Sequence, residues 1–353
     1  MLKNKQDWDP SHLAYKRDPD DVIGAVKGSK FDEYRKRWKR ITQSLEHPEF
    51  PIHIDFELSH SCNLKCPMCT WSVDFNKNSG KSSWVSLETF KRVIEEGVAD
   101  GLCAVGLNAV NEPLIRPDLP EFVQVANDAG IIDIMFHTNG LLLTEEMSER
   151  LIDSGLTRLM VSLDAVTQET YDKIRVGGNM EKTKRNIFNF LRIRSDKGLT
   201  LPVLSVNFVK MAINEHELHD FVDYWKEHVD YFVIQQYMNP LPEDENQNEL
   251  YSREYESRLG FKCPEPFQRL KLSAAGNFFP CCSLYGDDNA NTPSGVSSTG
   301  EQITVGKLGS ASIKEIWHGE EMENLRSLHK NGHWHEHPIC NLCVRNTYVR
   351  DLD

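Results

Sequence analysis

Residues 52–69 read IHIDFELSHSCNLKCPMC, where a strand-like stretch runs directly into three cysteines. Apolar and polar residues alternate over residues 52–58, and this period of two predicts a β-strand. Cys62, Cys66 and Cys69 follow with the spacing C-x3-C-x2-C. A structural zinc site usually takes four protein ligands, and a fully ligated [4Fe–4S] cluster also needs four. Three thiolates on one loop would leave one iron of such a cluster open to another ligand.

The sequence after this loop alternates between helix and strand patterns. Six βα repeats of this kind predict a parallel sheet with right-handed crossovers, and they fall short of the eight strands of a closed barrel. We therefore expect an α/β fold, a partial (β/α)6 barrel, with the cysteine loop at the catalytic, carboxyl end of its first strand. Strands are predicted at residues 52–58, 102–107, 131–136, 156–163, 203–208 and 231–236, and helices at 86–98, 119–129, 144–154, 182–197 and 215–227.

Four segments follow from changes in composition. Residues 1–50 are predicted to be a polar extension with one amphipathic helix at 29–45, and residues 51–238 to be the barrel. Residues 239–262 resemble an acidic linker in composition, and residues 263–353 a small C-terminal domain. The remaining local predictions are irregular structure over residues 1–28, strands at 270–274 and 278–282, a disordered low-complexity loop at 286–302, a helix at 312–330, and a polar, exposed loop for the histidines of residues 329–340.

Bulk composition restricts the classes of partner. The formal net charge of -13 would repel phosphate backbones, so we do not expect nucleic acid to bind. The apolar runs are strand-sized, and the N-terminal MLKNKQDWDP lacks the apolar segment of a signal peptide, so we expect a cytoplasmic protein that does not enter a membrane. In a reducing cytosol, nine cysteines favour metal ligands over disulfides.

The cysteine motif carries a family resemblance. C-N-L-x-C-P-M-C, placed after the first strand of a six-fold βα pattern, resembles the signature of the radical S-adenosylmethionine (radical SAM) superfamily. The resemblance implies that Cys62, Cys66 and Cys69 hold three irons of a [4Fe–4S] cluster and that SAM chelates the fourth. It also implies that an electron, from a partner such as a flavodoxin or ferredoxin, cleaves SAM to a 5'-deoxyadenosyl radical that abstracts hydrogen from the substrate.

Other strand ends resemble the SAM-binding segments of this superfamily. Asn111 and Glu112 in N-E-P resemble the Gly-Glu-Pro stretch that meets the SAM amino group, although the glycines of that pattern are replaced. Ser162 and Asp164 in VSLDA resemble the S-x-D stretch near the ribose and carboxylate. Arg175 follows shortly after, and its guanidinium suits two parallel hydrogen bonds to a carboxylate. The resemblance therefore predicts that these five residues bind SAM.

Distal cysteines predict a second metal site. Cys263, Cys281, Cys340 and Cys343 form two separated pairs, which suit a four-thiolate zinc site as well as an iron–sulfur cluster. C-x12-G-x4-C followed by C-x2-C, with VGKLGSASIKEIW between them, resembles the SPASM or twitch extension of radical SAM enzymes. It implies one auxiliary [4Fe–4S] cluster ligated by all four. Cys282 would point away from Cys281 in an extended segment, as a buried thiol or a hydrogen donor.

The reaction has several possible outcomes. We expect dehydrogenation of a small-molecule carbinol (a sugar or aminocyclitol), because a fully ligated auxiliary cluster suits electron acceptance. Asn207 and Gln235 end two strands and either face this substrate or are satisfied amides. The alternatives are a radical epimerase with Cys282 or Cys103 as hydrogen donor, a peptide-modifying maturase, and a non-catalytic zinc-binding protein. Only about fifty residues precede the first predicted strand, too few for the peptide-recognition domain of many maturases plus the entry segment, so we expect a small molecule.

Overall fold

The computed structural model describes residues 18–73, 84–237, 249–250, 262–281, 304–337 and 340–341, and the backbone of residues 13–15. Ten strands of the described chain belong to one open sheet. They are β1 (Leu13–Tyr15), β2 (His53–Phe56), β3 (Ala104–Gly106), β4 (Asp133–Thr138), β5 (Arg158–Ser162), β6 (Val203–Lys210), β7 (Tyr231–Gln236), β8 (Arg269–Leu272), β9 (Asn277–Phe279) and β10 (Gly306–Lys307).

The order of the strands is β1-β7-β6-β5-β4-β3-β2-β8-β9-β10. Strands β2 to β7 are the six predicted ones, and each pairs in parallel with its neighbour in the chain, which confirms the partial barrel. β1 adds an antiparallel strand to β7. At the other edge β8 pairs in parallel with β2 and continues into antiparallel β9 and β10. The C-terminal strands therefore extend the barrel sheet, which the sequence patterns did not predict.

Helices connect these strands, and their caps explain where several of them begin. The side chains of Ser86, Thr144 and Asn179 accept a backbone N–H three residues further on, as good N-caps do. The helices are α1 (Pro19–Lys27), α2 (Ser29–Ser44), α3 (Thr70–Val73), α4 (Leu87–Asp100), α5 (Leu119–Asp128), α6 (Glu145–Asp153), α7 (Gln168–Ile174), α8 (Met180–Asp196), α9 (Leu218–Trp225), α10 (Glu265–Gln268), α11 (Ile313–Trp317) and α12 (Glu320–Lys330).

Two local predictions were wrong, and one helix was missed. Residues 1–28 were expected to be irregular, but they contain β1 and α1, where Asp18 caps a helix that has proline in its first turn. Helix α7, capped by Thr167, was not predicted. The single helix expected at residues 312–330 is divided into α11 and α12, because Gly319 in extended conformation separates them.

The two faces of the sheet differ in polarity. The face toward the helices is apolar: alternate residues of each central strand, such as Ile54, Phe136 and Val206, belong to one large buried cluster. The strand registers place the intervening, mainly polar, residues together on the opposite, inner face. The predicted helix at 29–45 is confirmed as α2, and its apolar side helps to form a second cluster with the amino-terminal ends of the strands. No helix in the described part of the chain is long and apolar enough to cross a membrane.

Candidate active site

The cysteine loop leaves the carboxyl end of β2, as predicted. Cys62, Cys66 and Cys69 line one cavity of about 260 Å³ that opens at this end of the sheet. Two contacts from outside the loop hold it in place. The side-chain Nδ2 of Asn139 donates to Asn63 Oδ1 at 2.7 Å, and the Lys65 backbone N–H donates to the Val176 carbonyl at 2.9 Å. The structure therefore brings the three predicted cluster ligands together.

The donor set of this cavity fits a [4Fe–4S] cluster. Burial raises the pKa of Cys62 to about 12, and it also raises the pKa values of Cys66 and Cys69. Three protonated thiols that face one cavity are poor nucleophiles, whereas binding of metal displaces their protons. Three of the residues that line the cavity are cysteines. One iron of such a cluster would therefore take a ligand that is not a cysteine.

Glu112 lines this cavity and also supports the turn that follows β4. Its Oε1 accepts hydrogen bonds from Thr138 Oγ1 at 2.6 Å and the Leu114 N–H at 3.0 Å, and its Oε2 accepts from the Asn139 N–H at 2.7 Å. Burial raises the pKa of this carboxyl group although these hydrogen bonds favour its charged form. Asn111, which precedes it, lines the cavity with its Oδ1 accepting from the Ala109 N–H at 2.9 Å.

Ser162, Asp164 and Arg175 meet beside the cysteine loop. Ser162 and Arg175 line the cavity, whereas Asp164 is fully buried and pairs with the Arg175 guanidinium through its Oδ2. Burial would lower the pKa of Arg175, but the Asp164 carboxylate outweighs burial and raises it. Arg175 Nη1 also donates to Cys66 Sγ at 3.7 Å.

Asp164 has an unusual backbone conformation that serves this arrangement. Its φ of 64° is in the left-handed region, which aspartate tolerates better than most residues. Its Oδ1 accepts from the Val209 N–H at 2.7 Å, so the carboxylate is held from β6 while it holds Arg175. Of the five residues predicted to bind SAM, four reach the cavity and Asp164 lies behind Arg175.

A row of polar residues on the inner face of the sheet continues below the cavity. Asn207 donates to His137 Nδ1 at 3.1 Å, and His137 lines the cavity. Asp55 lies on β2 in register with Lys271 of β8, and its carboxylate contacts His53 Nε2 at 2.8 Å and Arg269 Nη1 at 3.2 Å.

Sequence reasoning identified Asn207 among this row but missed His137, Asp55 and Lys271. For Asp55 the available signal was the polar alternation at residues 53, 55 and 57, in and directly after β2. This signal does not extend to His137 on β4 or Lys271 on β8. Gly106 of β3 leaves room for the Asp55 carboxylate, because a Cβ at this position would lie 2.2 Å from Oδ1. Burial lowers the pKa of His137 to about 4, so its imidazole is neutral at neutral pH.

Part of the predicted auxiliary site is described. The hairpin of β8 and β9 places Cys263 before its first strand and Cys281 after its second, at the same end. His329 joins Cys263 to Cys340: its Nδ1 accepts from the Cys263 N–H at 3.3 Å, and its Nε2 lies 3.4 Å from Cys340 Sγ. Cys282 and Cys343 lie outside the described residues. The predicted grouping of Cys263 and Cys340 is therefore consistent with the structure.

His329 corrects a prediction, because the histidines of residues 329–340 were expected to be exposed. His333 and His335 are exposed, but His329 is buried on α12 with 1% of its surface accessible, and burial lowers its pKa to about 4. The signal was its spacing: Met322, Leu325 and His329 follow the i, i+3, i+7 pattern of a buried helix face.

Cys103, considered as a hydrogen donor for an epimerase, lies just before β3 at the amino-terminal end of the sheet. Its Sγ donates to the Gly101 carbonyl at 3.4 Å, and it packs against the apolar cluster that includes α2. This thiol is not among the residues that line the cavity of the cysteine loop.

Comparisons with known proteins agree with this geometry. Residues 56–224 match the radical SAM superfamily model, and residues 263–344 match SPASM, an iron–sulfur cluster-binding domain. A probable GTP 3',8-cyclase of Methanococcus maripaludis strain C7 is 30% identical over 212 residues, 60% of this chain and 67% of the relative. The PqqA peptide cyclase of Bradyrhizobium diazoefficiens is 31% identical over 172 residues, 49% of this chain and 42% of the relative.

Solved structures show the same fold. Streptococcus suis SuiB bound to its precursor peptide SuiA has a TM-score of 0.58 at 15% identity, covering 90% of this chain and 76% of SuiB. BtrN in complex with AdoMet and 2-DOIA has a TM-score of 0.52 at 18% identity, covering 86% and 95%. The chain spans about half the length of most curated relatives that it matches. It carries the domains that bind SAM and two [4Fe–4S] clusters, and it belongs to the radical SAM superfamily as a member with a C-terminal SPASM domain.

Proposed function

We propose that this radical SAM enzyme dehydrogenates a small polar substrate that carries a hydroxyl group. The observation that supports this proposal is a polar row on the inner face of the sheet, next to the cavity lined by the three cysteines. Asp55, Asn207 and Lys271 of this row are buried, and His137 is partly exposed where it lines the cavity. Buried polar and charged side chains carry a desolvation cost, so such a row suits a ligand that replaces lost water with hydrogen bonds.

In this proposal Cys62, Cys66 and Cys69 hold the SAM-binding cluster, and Arg175 binds the SAM carboxylate. Arg175 lines the cavity, and its Nε has no hydrogen-bond partner among the described residues, so at least this N–H is left for a ligand. Its orientation is fixed by Asp164, so the guanidinium is already in place before a carboxylate arrives. Ser162 and Asn111 line the same cavity and are proposed as further SAM contacts.

We propose that Glu112 also accepts a hydrogen bond from the SAM amino group. Its carboxylate already accepts three hydrogen bonds from the chain, and one carboxylate offers about four acceptor positions. One position therefore remains for an ammonium group, while the other three keep the turn after β4 in place.

When bound, SAM at the cluster of Cys62, Cys66 and Cys69 would supply hydrogen-atom abstraction from the substrate carbinol. The auxiliary cluster would supply an acceptor for the second electron, while the hydroxyl proton would leave to water. The chain's own contribution is to hold and orient the substrate. His137 accepts from Asn207 at Nδ1, so its proton is on Nε2 and is available to a substrate oxygen.

Asp55 is proposed to accept a hydrogen bond from a substrate hydroxyl or ammonium group. Burial would raise the pKa of Asp55, but His53 and Arg269 outweigh burial and hold it well below its usual range, so the carboxylate stays charged. A fixed anion beside a neutral donor favours a substrate with both hydroxyl and amino groups, as an aminocyclitol has.

Peptide modification is a second candidate function. The PqqA peptide cyclase is 31% identical over 172 residues, and the SuiB structure of the same fold contains a precursor peptide. A peptide would enter through the open cavity and place one side chain at the polar row, so both candidates use the same residues around the cysteine loop.

Anaerobic reconstitution tests the common part of these proposals. We expect iron and sulfide for two clusters, and 5'-deoxyadenosine on addition of SAM and reductant. Cys69→Ala should lose SAM cleavage and keep the auxiliary cluster, whereas the matched control Cys103→Ala should retain both, because Cys103 lies outside the cavity. Zinc in place of iron, or equal 5'-deoxyadenosine from Cys69→Ala, would refute the radical mechanism.

Substrate panels separate the candidates. Dehydrogenation of a polyol or aminocyclitol predicts a product lighter by two hydrogen atoms with a new carbonyl group, and Asp55→Asn should lower kcat/KM for it. Epimerisation in heavy water would instead place deuterium at the inverted carbon. If only peptides are consumed and gain an internal cross-link, the small-molecule proposal fails and the peptide proposal stands.

A further inference from the structure

His329 connects two of the predicted auxiliary ligands. It lies near the end of α12 and receives the backbone N–H of Cys263 at Nδ1, 3.3 Å away. Its other ring nitrogen, Nε2, lies 3.4 Å from the sulfur of Cys340. Cys263 precedes the β8–β9 hairpin and Cys340 follows α12, so one side chain joins the two ends of the domain that supply these ligands.

The contact with Cys263 fixes the tautomer of this histidine. A backbone N–H can only donate, so Nδ1 of His329 must present a lone pair. The ring proton is then on Nε2, the atom that faces Cys340. The side chain consequently donates a hydrogen bond to the Cys340 sulfur. The contact with Cys263 orients the ring whether that sulfur is protonated, free as thiolate or bound to iron.

A hydrogen bond to a ligating sulfur stabilises negative charge on a cluster. Reduction adds one electron, so the donor stabilises the reduced form more than the oxidised form and raises the reduction potential. We propose that His329 is a positioning residue that sets the register of Cys263 and Cys340 and, through its Nε2–H, tunes the auxiliary cluster to accept an electron. This inference rests on the proposed function, in which that cluster takes up the second electron of the substrate.

The helix that carries His329 is docked by other contacts as well. Lys262 Nζ donates to the Lys330 carbonyl at 2.8 Å, and Arg326 Nε donates to the Pro266 carbonyl at 2.9 Å. These bonds hold α12 against the segment that contains Cys263 without help from the imidazole. A substitution at His329 should therefore remove the hydrogen bond to sulfur and leave the helix in place.

The test is a redox titration of the auxiliary cluster alone. The parent is the full chain with Cys62, Cys66 and Cys69 changed to Ala, which removes the SAM-binding cluster. Into it we introduce His329→Phe, which keeps a buried ring without a donor, and His329→Gln, which keeps an N–H donor. His335→Phe on the exposed loop is the matched control. Iron and sulfide are quantified first, and the midpoint potential is then followed by electron paramagnetic resonance.

We expect a more negative midpoint potential for His329→Phe than for the parent, with His329→Gln between them and His335→Phe unchanged. Loss of iron from His329→Phe but not from His329→Gln would also support the positioning role. An unchanged potential in a His329→Phe protein with full iron content overturns the inference. A parent without iron would instead refute the auxiliary cluster itself, so the two failures are distinguishable.

Discussion

Asp164→Asn should destabilise the fold because it leaves Arg175 as an uncompensated buried cation. The Asp164 side chain is fully buried and that of Arg175 is 11% exposed, so solvent screens the pair little. Asparagine keeps the volume, tolerates the left-handed backbone at φ 64°, and retains an oxygen for the Val209 N–H. The substitution therefore removes the charge and replaces the oxygen that faces Arg175 with an amide N–H donor. Breaking one side of a buried ion pair costs about 3–5 kcal/mol, and we expect a loss in this range.

The double variant Asp164→Asn/Arg175→Met isolates the interaction energy between residues 164 and 175. Removal of the cation relieves the uncompensated charge, so the double variant should be more stable than Asp164→Asn by about 2 kcal/mol or more. Urea unfolding of the cluster-free protein, followed by circular dichroism, measures both differences. The control is Asp172→Asn on the exposed face of α7, which should change stability by less than about 0.5 kcal/mol.

The refuting result is specific. If Asp164→Asn lies within about 1 kcal/mol of the unmodified protein, the pair behaves as a solvent-exposed one and Arg175 is not pre-positioned. If the double variant is no more stable than the single variant, the loss arises from the backbone at residue 164 and not from the charge.

Three further perturbations test the inner face and the Glu112 turn. Gly106→Ala places a Cβ 2.2 Å from Asp55 Oδ1, so it should destabilise by about 1–3 kcal/mol in urea unfolding, and an unchanged midpoint would contradict this packing. His137 has a pKa of about 4 when folded and 6.5 as its ordinary value, so unfolding takes up a proton between these values and stability falls as pH falls through this window. In His137→Gln that slope should be shallower by up to about 1.4 kcal/mol per pH unit, measured by urea unfolding at several pH values, and an equal slope would rule out a neutral imidazole at this position. Thr138→Val removes a 2.6 Å hydrogen bond to the buried Glu112 carboxylate and should cost about 1.5–3 kcal/mol in the same assay, whereas a neutral effect would mean that water replaces the hydroxyl.

The barrel strands could be predicted from sequence because each contains a short, mainly apolar run of strand length that alternates along the chain with a helical pattern. The cysteine loop was placed correctly for the same reason, since parallel strands gather their carboxyl ends at one edge. The pairing of β8 with β2 could not be predicted, because no local pattern specifies a partner more than two hundred residues away.

The polarity of the inner face was visible but ambiguous. His53 and Asp55 alternate with apolar residues, and alternation alone does not distinguish a solvent-facing side from a buried chamber. The distinction requires the neighbouring strands, and in the structure Arg269 of β8 pairs with the Asp55 carboxylate. His329 was missed for a related reason: the polar residues around it dominated the local composition, whereas its burial follows from the helical spacing with Leu325.

The two predicted cluster sites share one structural element, and this has a consequence for electron transfer. The cysteine loop follows β2, and the hairpin that is flanked by Cys263 and Cys281 pairs with β2 in register from His53↔Arg269 to Phe56↔Leu272. Backbone hydrogen bonds of the sheet therefore fix the position of the hairpin along β2 relative to the cysteine loop.

Glu57 strengthens this connection from the carboxyl end of β2. Its Oε1 lies 3.0 Å from His60 Nδ1 at the start of the cysteine loop, and its Oε2 accepts from the Ala274 N–H in the turn of the hairpin at 3.2 Å. One buried carboxylate thus holds both elements. A substrate bound on the inner face, between the cysteine loop and the hairpin, would lie at fixed distances from the two predicted cluster sites. The proposed reaction requires this, because it removes a hydrogen atom at one site and an electron at the other.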